Sequence, residues 1–295
     1  MAFAPVRALR PQDTVAVVAP SGPFDRASFD KGVEVLSSRY RPVFSERVYE
    51  TYRYLAGRDE ARAGELQAAL DDGLVSAVFM ARGGYGAMRL LPSLRLGASK
   101  ALVGFSDTTA LHCATQARGV RSLHGPVLTQ LGRQPADVVA RLFDLLEGRP
   151  VVPLAGTRTV VPGIAEGPLV GGNLSVLTRL IGTPYLPSLD GCVLLIEDVG
   201  ERPYRLDRMW LHLALAGLLG RVAGVVFGEF TGCEEKDVAY SSAQVMDELA
   251  QALGVPCAAG FDIGHGDTNF PVPLGARVRL DADRRSLVFL EGLVA

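Results

Sequence analysis

The sequence is short of several things, and each shortage closes off a class of function. It has only four cysteines, Cys113, Cys192, Cys233 and Cys257, far apart and without a CxxC pair. That excludes a zinc ribbon and a disulfide framework, and it suits a reducing cytoplasm. Neither sign of charge is in excess: thirty Lys and Arg face thirty-two Asp and Glu, for a formal charge of -2, with no basic run. Nucleic acid and anionic membrane are therefore not expected as partners. No run of about 18 apolar residues occurs, so no membrane span is expected. The start, MAFAPVRALRPQDTVAVVAP, lacks a long apolar region followed by a small-residue cleavage site, and no signal peptide is expected. There is no internal repeat, no HExxH and no Walker loop. Histidines number four, and no two stand at ligand spacing. His265 and Asp267 are the candidates for a metal, but no metal or other cofactor is expected.

What is present fits a globular protein with a sizeable core. Hydrophobic residues make up 48% of the 295 and charged residues 21%, enough for one large domain or two medium ones. The first half alternates strand and helix signals. The apolar runs TVAVVA (14–19), VSAVFMA (75–81) and ALVGF (101–105) read as strands. Helical spacing appears over 29–40, 58–72, about 108–118 and 136–148. Such alternation predicts parallel βαβ units in a doubly wound sheet. The Pro- and Gly-rich segment 149–168 is the expected crossing between an N-terminal domain (1–148) and a C-terminal one (169–295). In the second half, strands are expected over 192–197 and 222–230. Helices are expected at GGNLSVLTRLIGTP (171–184), 204–220 and 241–254, and a hairpin turns at Asp281-Ala282-Asp283.

Ligands of doubly wound sheets sit beyond the carboxyl ends of the strands. Three strand ends here carry unusual loops: APSGP (19–23), RGGYG (82–86) and GFSDT (104–108). Ser106 stands where a strand stops and a helix starts. It is either an ordinary helix cap or a nucleophile held beside free helix N–H groups. The G-x-S-x-G elbow is incomplete, because its closing glycine is missing. RGGYG reads either as a tight turn or as a backbone cradle for an oxyanion or phosphate. Glu197 ends an apolar strand and needs a partner if buried, either a salt bridge or a histidine. His265, between Gly264 and Gly266, is a candidate base that the backbone can place freely. His112 and His212 fall within helices, and His124 follows a strand and is a candidate to face the site. Ser106, Glu197 and His265 together supply nucleophile, orienting acid and base in the chain order Ser…Glu…His. A small-molecule binding module without chemistry is the non-enzyme alternative.

The sequence resembles the LD-carboxypeptidase family of serine peptidases over nearly its whole length. The resemblance rests on VAPSGP (18–23), YLAGRDEARAGELQAAL (54–70), ARGGYGAMRLLP (81–92), VGFSDTTALH (103–112) and HGPV (124–127). It continues through GGNLSVLTRLIGTP (171–184), LLIEDVGERPYRLDRM (194–209) and GFDIGHGDTNFPVPLGA (260–276). It implies an N-terminal α/β domain like that of glutamine amidotransferases, a smaller C-terminal α/β domain, a site between them and a homodimer. It also implies Ser106 as nucleophile, Glu197 as triad acid, His265 as base, and the amides of Asp107 and Gly84 as oxyanion hole. The implied substrate is a murein tetrapeptide, cleaved between diaminopimelate and terminal D-Ala during cytoplasmic cell-wall recycling. A branch of the family instead cleaves peptide-nucleotide antibiotics of the microcin C type. A carboxypeptidase must hold a free carboxylate, for which Arg82, Arg202 and Arg205 are candidates. Gly83, Tyr85 and Asn173 complete the expected substrate contacts, with helix capping as the other role of Asn173.

Overall fold

The structure is a computed structural model that describes residues 2–97 and 100–295. Its first half comprises β1 (Thr14–Val18), α1 (Arg26–Ser37), β2 (Arg41–Val43), α2 (Asp59–Asp71), β3 (Val75–Met80), α3 (Ala87–Leu90), β4 (Ala101–Gly104), α4 (Thr109–Gln116), β5 (Ser122–His124), α5 (Leu128–Leu131) and α6 (Ala136–Glu147). The second half follows with β6 (Leu154–Ala155), β7 (Arg158–Val161), β8 (Ile164–Asn173), α7 (Leu174–Thr178), β9 (Val193–Val199), α8 (Pro203–Leu215), β10 (Gly224–Thr231), α9 (Ser242–Leu253), β11 (Cys257–Ala259), β12 (Val272–Leu274), β13 (Arg277–Asp281) and β14 (Ser286–Phe289).

Two sheets organise the chain. The first has six strands in the order β12-β5-β4-β3-β1-β2, parallel except for β12 at one edge. All six residues of β3 are buried, as expected of a strand covered by helices on both faces. The strand order reverses between β1 and β3, so the crevice of the doubly wound sheet opens there. Its lips are the two loops APSGP and RGGYG, and the third loop, GFSDT, follows the neighbouring β4. The second sheet has eight strands in the order β6-β14-β13-β8-β9-β10-β11-β7, with β8 to β11 parallel and the rest antiparallel. The expected mixed α/β layout with two sheets is thus found.

Some elements differ from the sequence reading. The segment 149–168, read as a crossing, supplies β6, β7 and the start of β8. Pro150, Pro153, Gly156, Pro162 and Gly163 fall outside the strands, beside the short edge strands β6 and β7, whereas Gly167 and Pro168 lie within β8. The glycines of GGNLS do not open a helix. They end β8, because a Cβ on Gly171 would fall 2.0 Å from the Leu195 carbonyl oxygen and one on Gly172 2.8 Å from Thr109 Oγ1. The helix after them is only five residues long. Strand β12 returns from the C-terminal half to pair with β5.

The join between the two sheets is a packed core rather than a hinge. Every residue of α4 is buried, and its Ala110, Leu111 and Ala114 share one apolar cluster with Leu174, Leu177 and Ile196 from the other half. Polar ties run beside it: Gln116 Nε2 donates to Leu169 O at 3.1 Å, and the Asn173 amide donates to Thr109 Oγ1 at 3.1 Å. The helix that follows Ser106 is therefore fixed against the sheet that carries Glu197. Among the described residues, no helix is long and apolar enough to cross a membrane.

Candidate active site

Ser106 is held by an unusual backbone. Phe105 leaves β4 extended, at φ -154° and ψ -167°, and Ser106 then turns to φ +62° before a 3-10 turn leads into α4. A non-glycine residue in the left-handed region costs about 1–2 kcal/mol, so the surrounding structure must enforce it. The enforcement comes from Asp107, whose buried carboxylate gathers all three loops. Its Oδ2 accepts from Ser21 Oγ of APSGP at 2.6 Å and from the Ala87 amide that follows RGGYG at 2.8 Å. Burial outweighs these hydrogen bonds and raises the Asp107 carboxyl above its usual range. RGGYG closes over the serine so tightly that a Cβ on Gly83 would meet Ser106 Cβ at 2.9 Å and Oγ at 3.1 Å. Next to it, Gly84 has φ +106°, and the Gly22 amide donates to the Gly83 carbonyl at 3.1 Å.

The second sheet brings the other two groups. Glu197, near the end of β9, is fully buried. His265 lies in the loop between β11 and β12. Its Nδ1 is 2.6 Å from Glu197 Oε2 and its Nε2 is 3.0 Å from Ser106 Oγ. A carboxylate can only accept, so Nδ1–H donates to Glu197, and Nε2 is left to accept the Ser106 hydroxyl proton. The base and its acid are pressed together: a Cβ on Gly264 would fall 2.8 Å from Glu197 Oε2. Asn269 Oδ1 holds the Gly264 amide at 3.0 Å, and the Phe105 ring lies 4.7 Å from the imidazole. Burial pulls the His265 pKa down, but the hydrogen bond and charge of Glu197, with Asp198 and Glu229 behind, outweigh it and leave the pKa raised.

The cavity over Ser106 has a volume of about 780 Å³, and His265, Arg82, Gly83 and Gly84 also line it. Of the expected substrate contacts, Tyr85, Asn173 and Arg202 do not line it. Tyr85 is half exposed and meets Tyr54 edge to face. Asn173 is buried; its Oδ1 caps α7 at the Val176 amide and its Nδ2 donates to Asp198, so capping is its role here. Arg202 makes a surface ion pair with Glu235 at 3.4 Å, and Arg205 pairs with Glu201 at 3.3 Å. Sequence reasoning missed Arg133, Gln130 and Thr129, which line the cavity from the segment after β5. The only signal for them was their position soon after HGPV at a strand end.

The remaining histidines are structural or remote. His112 donates through Nε2 to Gly104 O at 2.8 Å and accepts from Ser122 Oγ at 2.9 Å, and burial pushes its pKa down to about 4. His124 is buried behind the Phe105 ring rather than facing the cavity, and His212 is exposed on α8. Among the described residues, no group of three or more His, Cys, Asp or Glu is placed to share a metal ion.

Comparison with known proteins finds matches over most of the chain. The model of the LD-carboxypeptidase N-terminal domain matches residues 15–125, and that of the LD-carboxypeptidase C-terminal domain matches residues 166–280. A murein tetrapeptide carboxypeptidase of Pseudomonas aeruginosa is 37% identical, over 79% of this chain and 81% of that protein. A probable murein peptide carboxypeptidase of Bacillus subtilis is 34% identical, over 97% and 94%. Among solved structures, muramoyltetrapeptide carboxypeptidase from Oxalobacter formigenes superposes with a TM-score of 0.83 at 28% identity, covering 93% of this chain and 97% of that one. MccF in complex with glutamyl sulfamoyl guanosine superposes at 0.90 with 22% identity, covering 99% of both chains, a likeness of fold.

Proposed function

Since this chain belongs to the LD-carboxypeptidase family, we propose that it is a serine peptidase that hydrolyses the L,D-peptide bond between diaminopimelate and terminal D-Ala of murein tetrapeptides. The observation that carries the reading is the unbroken line Ser106–His265–Glu197, with contacts of 3.0 and 2.6 Å. His265 takes the Ser106 proton as Oγ attacks the diaminopimelate carbonyl carbon. Glu197 holds the ring in the tautomer that leaves Nε2 free and stabilises the imidazolium. The amides of Asp107 and Gly84 receive the developing oxyanion. His265 then protonates the departing D-Ala nitrogen, and water, activated by the same imidazole, releases the tripeptide from Ser106. The left-handed backbone of Ser106 supports this role, since a strained strand-to-helix turn is how a serine is lifted clear of a sheet.

Cell-wall recycling in the cytoplasm and assembly as a homodimer complete the proposal. Cleavage of peptide-nucleotides is the second reading, favoured by the fold shared with MccF. A serine-directed fluorophosphonate tests the chemistry: it should modify Ser106 and block turnover, and chelator should leave turnover unchanged. Loss of turnover on chelation with Ser106 unmodified would refute the serine mechanism. Equal amounts of murein tetrapeptide and aminoacyl sulfamoyl nucleoside, offered together, should show the tetrapeptide consumed first. The opposite order would replace the first reading by the second.

A further inference from the structure

A carboxypeptidase must recognise a free terminal carboxylate, and the structure assigns that task to a residue outside every motif named above. The carboxylate of a C-terminal residue lies one residue beyond the scissile carbonyl, within about 3.8 Å of chain advance. Its partner must therefore line the same cavity as Ser106. The cationic or potentially cationic side chains lining that cavity are Arg82, Arg133 and His265. His265 must be neutral to act as a base. Arg82 turns its Nη1 to the Pro23 carbonyl and so braces RGGYG against the first loop. Arg202 and Arg205 lie outside the cavity and are already paired. Arg133 remains. Its side chain is exposed to the cavity and, among the described residues, makes no ion pair or side-chain hydrogen bond. The one carboxylate in the cavity wall, Asp25, caps α1 at the Ser28 amide.

Arg133 is also held in register with the base. The adjacent Gln134 accepts from the Asn269 amide at 3.0 Å and donates to Asp267 O at 3.3 Å. Asn269 in turn fixes the Gly264 amide, one residue before His265. The turn carrying Arg133 and the loop carrying His265 thus form one hydrogen-bonded unit, so the backbone from which Arg133 reaches the cavity is tied to the backbone that places the base. We propose that Arg133 binds the carboxylate of the terminal amino acid and makes the enzyme an exopeptidase. The inference rests on the serine carboxypeptidase reading.

The test compares murein tetrapeptide with the same peptide amidated at its C-terminus, following tripeptide release by wild type, Arg133→Met, Arg133→Lys and Arg82→Met. Wild type should prefer the acid. Losing one charge-assisted pair is worth roughly tenfold to a hundredfold. Arg133→Met should lose about that much kcat/KM on the acid, mainly through KM, and stay within about twofold on the amide, so that the preference vanishes. Arg133→Lys should restore part of it. An unchanged acid preference in active Arg133→Met overturns the inference alone, as does an equal loss on both peptides. So does a preference that vanishes in Arg82→Met instead. Wild type inactive on both peptides overturns the underlying reading and the inference with it.

Discussion

Replacing Gly83 with alanine probes the site at its tightest point. The new methyl would stand 2.9 Å from Ser106 Cβ and 3.1 Å from Oγ. Ordinary carbon–carbon contact is about 3.5–4.0 Å, so the gap must open by roughly 0.6–1 Å. Ser106 cannot swing away freely, because its left-handed backbone is locked between β4 and the 3-10 turn and Asp107 pins that turn to two other loops. RGGYG cannot retreat easily either, since Gly22 and Asp107 hold it. Overpacking of this kind costs about 1–3 kcal/mol of stability, a drop of a few degrees in Tm. Its effect on rate should be larger, because misplacing a reacting atom by about 1 Å costs on the order of 100-fold. Steady-state D-Ala release and thermal unfolding, measured on one preparation, separate the two. Gly64→Ala is the control: it lies in α2 with nothing within 4 Å of the added methyl, and should gain about 0.5–1 kcal/mol with kcat unchanged. A Gly83→Ala variant that keeps wild-type kcat would show that the loop does not press on the nucleophile, and the account of the site would fail.

Other outcomes follow from the same contacts. In the wild type, kcat/KM should rise with pH through an inflection above the ordinary imidazole value of about 6.5, because Glu197 and its neighbours raise the His265 pKa against the effect of burial. In Glu197→Gln the burial remains and the countercharge is gone, so the His265 inflection should move to lower pH and kcat fall about 10³–10⁴-fold. An NMR titration of His265 that does not move acidward would contradict the pairing. Asp107→Asn should keep both loop contacts and most stability, since the charge it removes is disfavoured by burial. Asp107→Ala should lose about 2–3 kcal/mol by orphaning the Ala87 amide, as equilibrium unfolding would report. All four cysteines are buried and unpaired, and burial pushes Cys113 and Cys192 up to about 12 and Cys233 to about 11. A thiol reagent at neutral pH should modify none in the native protein and all four in denaturant.

Much of the frame could be read from sequence because parallel strands buried on both faces announce themselves. VSAVFM is apolar but for Ser76, and the loops after such strands mark the ligand crevice. The chain order Ser106, Glu197, His265 named groups that the fold brings within hydrogen-bonding distance across 159 residues. Other features depend on tertiary packing and leave no local signal. The glycines of GGNLS looked like a helix start; only the close approach of the Leu195 carbonyl and Thr109 shows why no side chain fits. Asn173 had two plausible roles, and its burial against Asp198 decides for the cap. Arg202 was one of three candidate carboxylate binders, behind Arg82 beside the RGGYG loop, and only its place on the surface, paired with Glu235, removes it. Arg133 stood out in no motif, because what distinguishes it is the cavity it lines and, among the described residues, the lack of an ion pair.

The most direct measurement is D-Ala release from purified murein tetrapeptide by the intact protein and by Ser106→Ala, side by side at equal concentration. The account predicts release by the first and a loss of several orders of magnitude in the second, with both variants folded to the same Tm within a degree or two. Equal release by both would remove Ser106 from the chemistry and contradict the account at its centre.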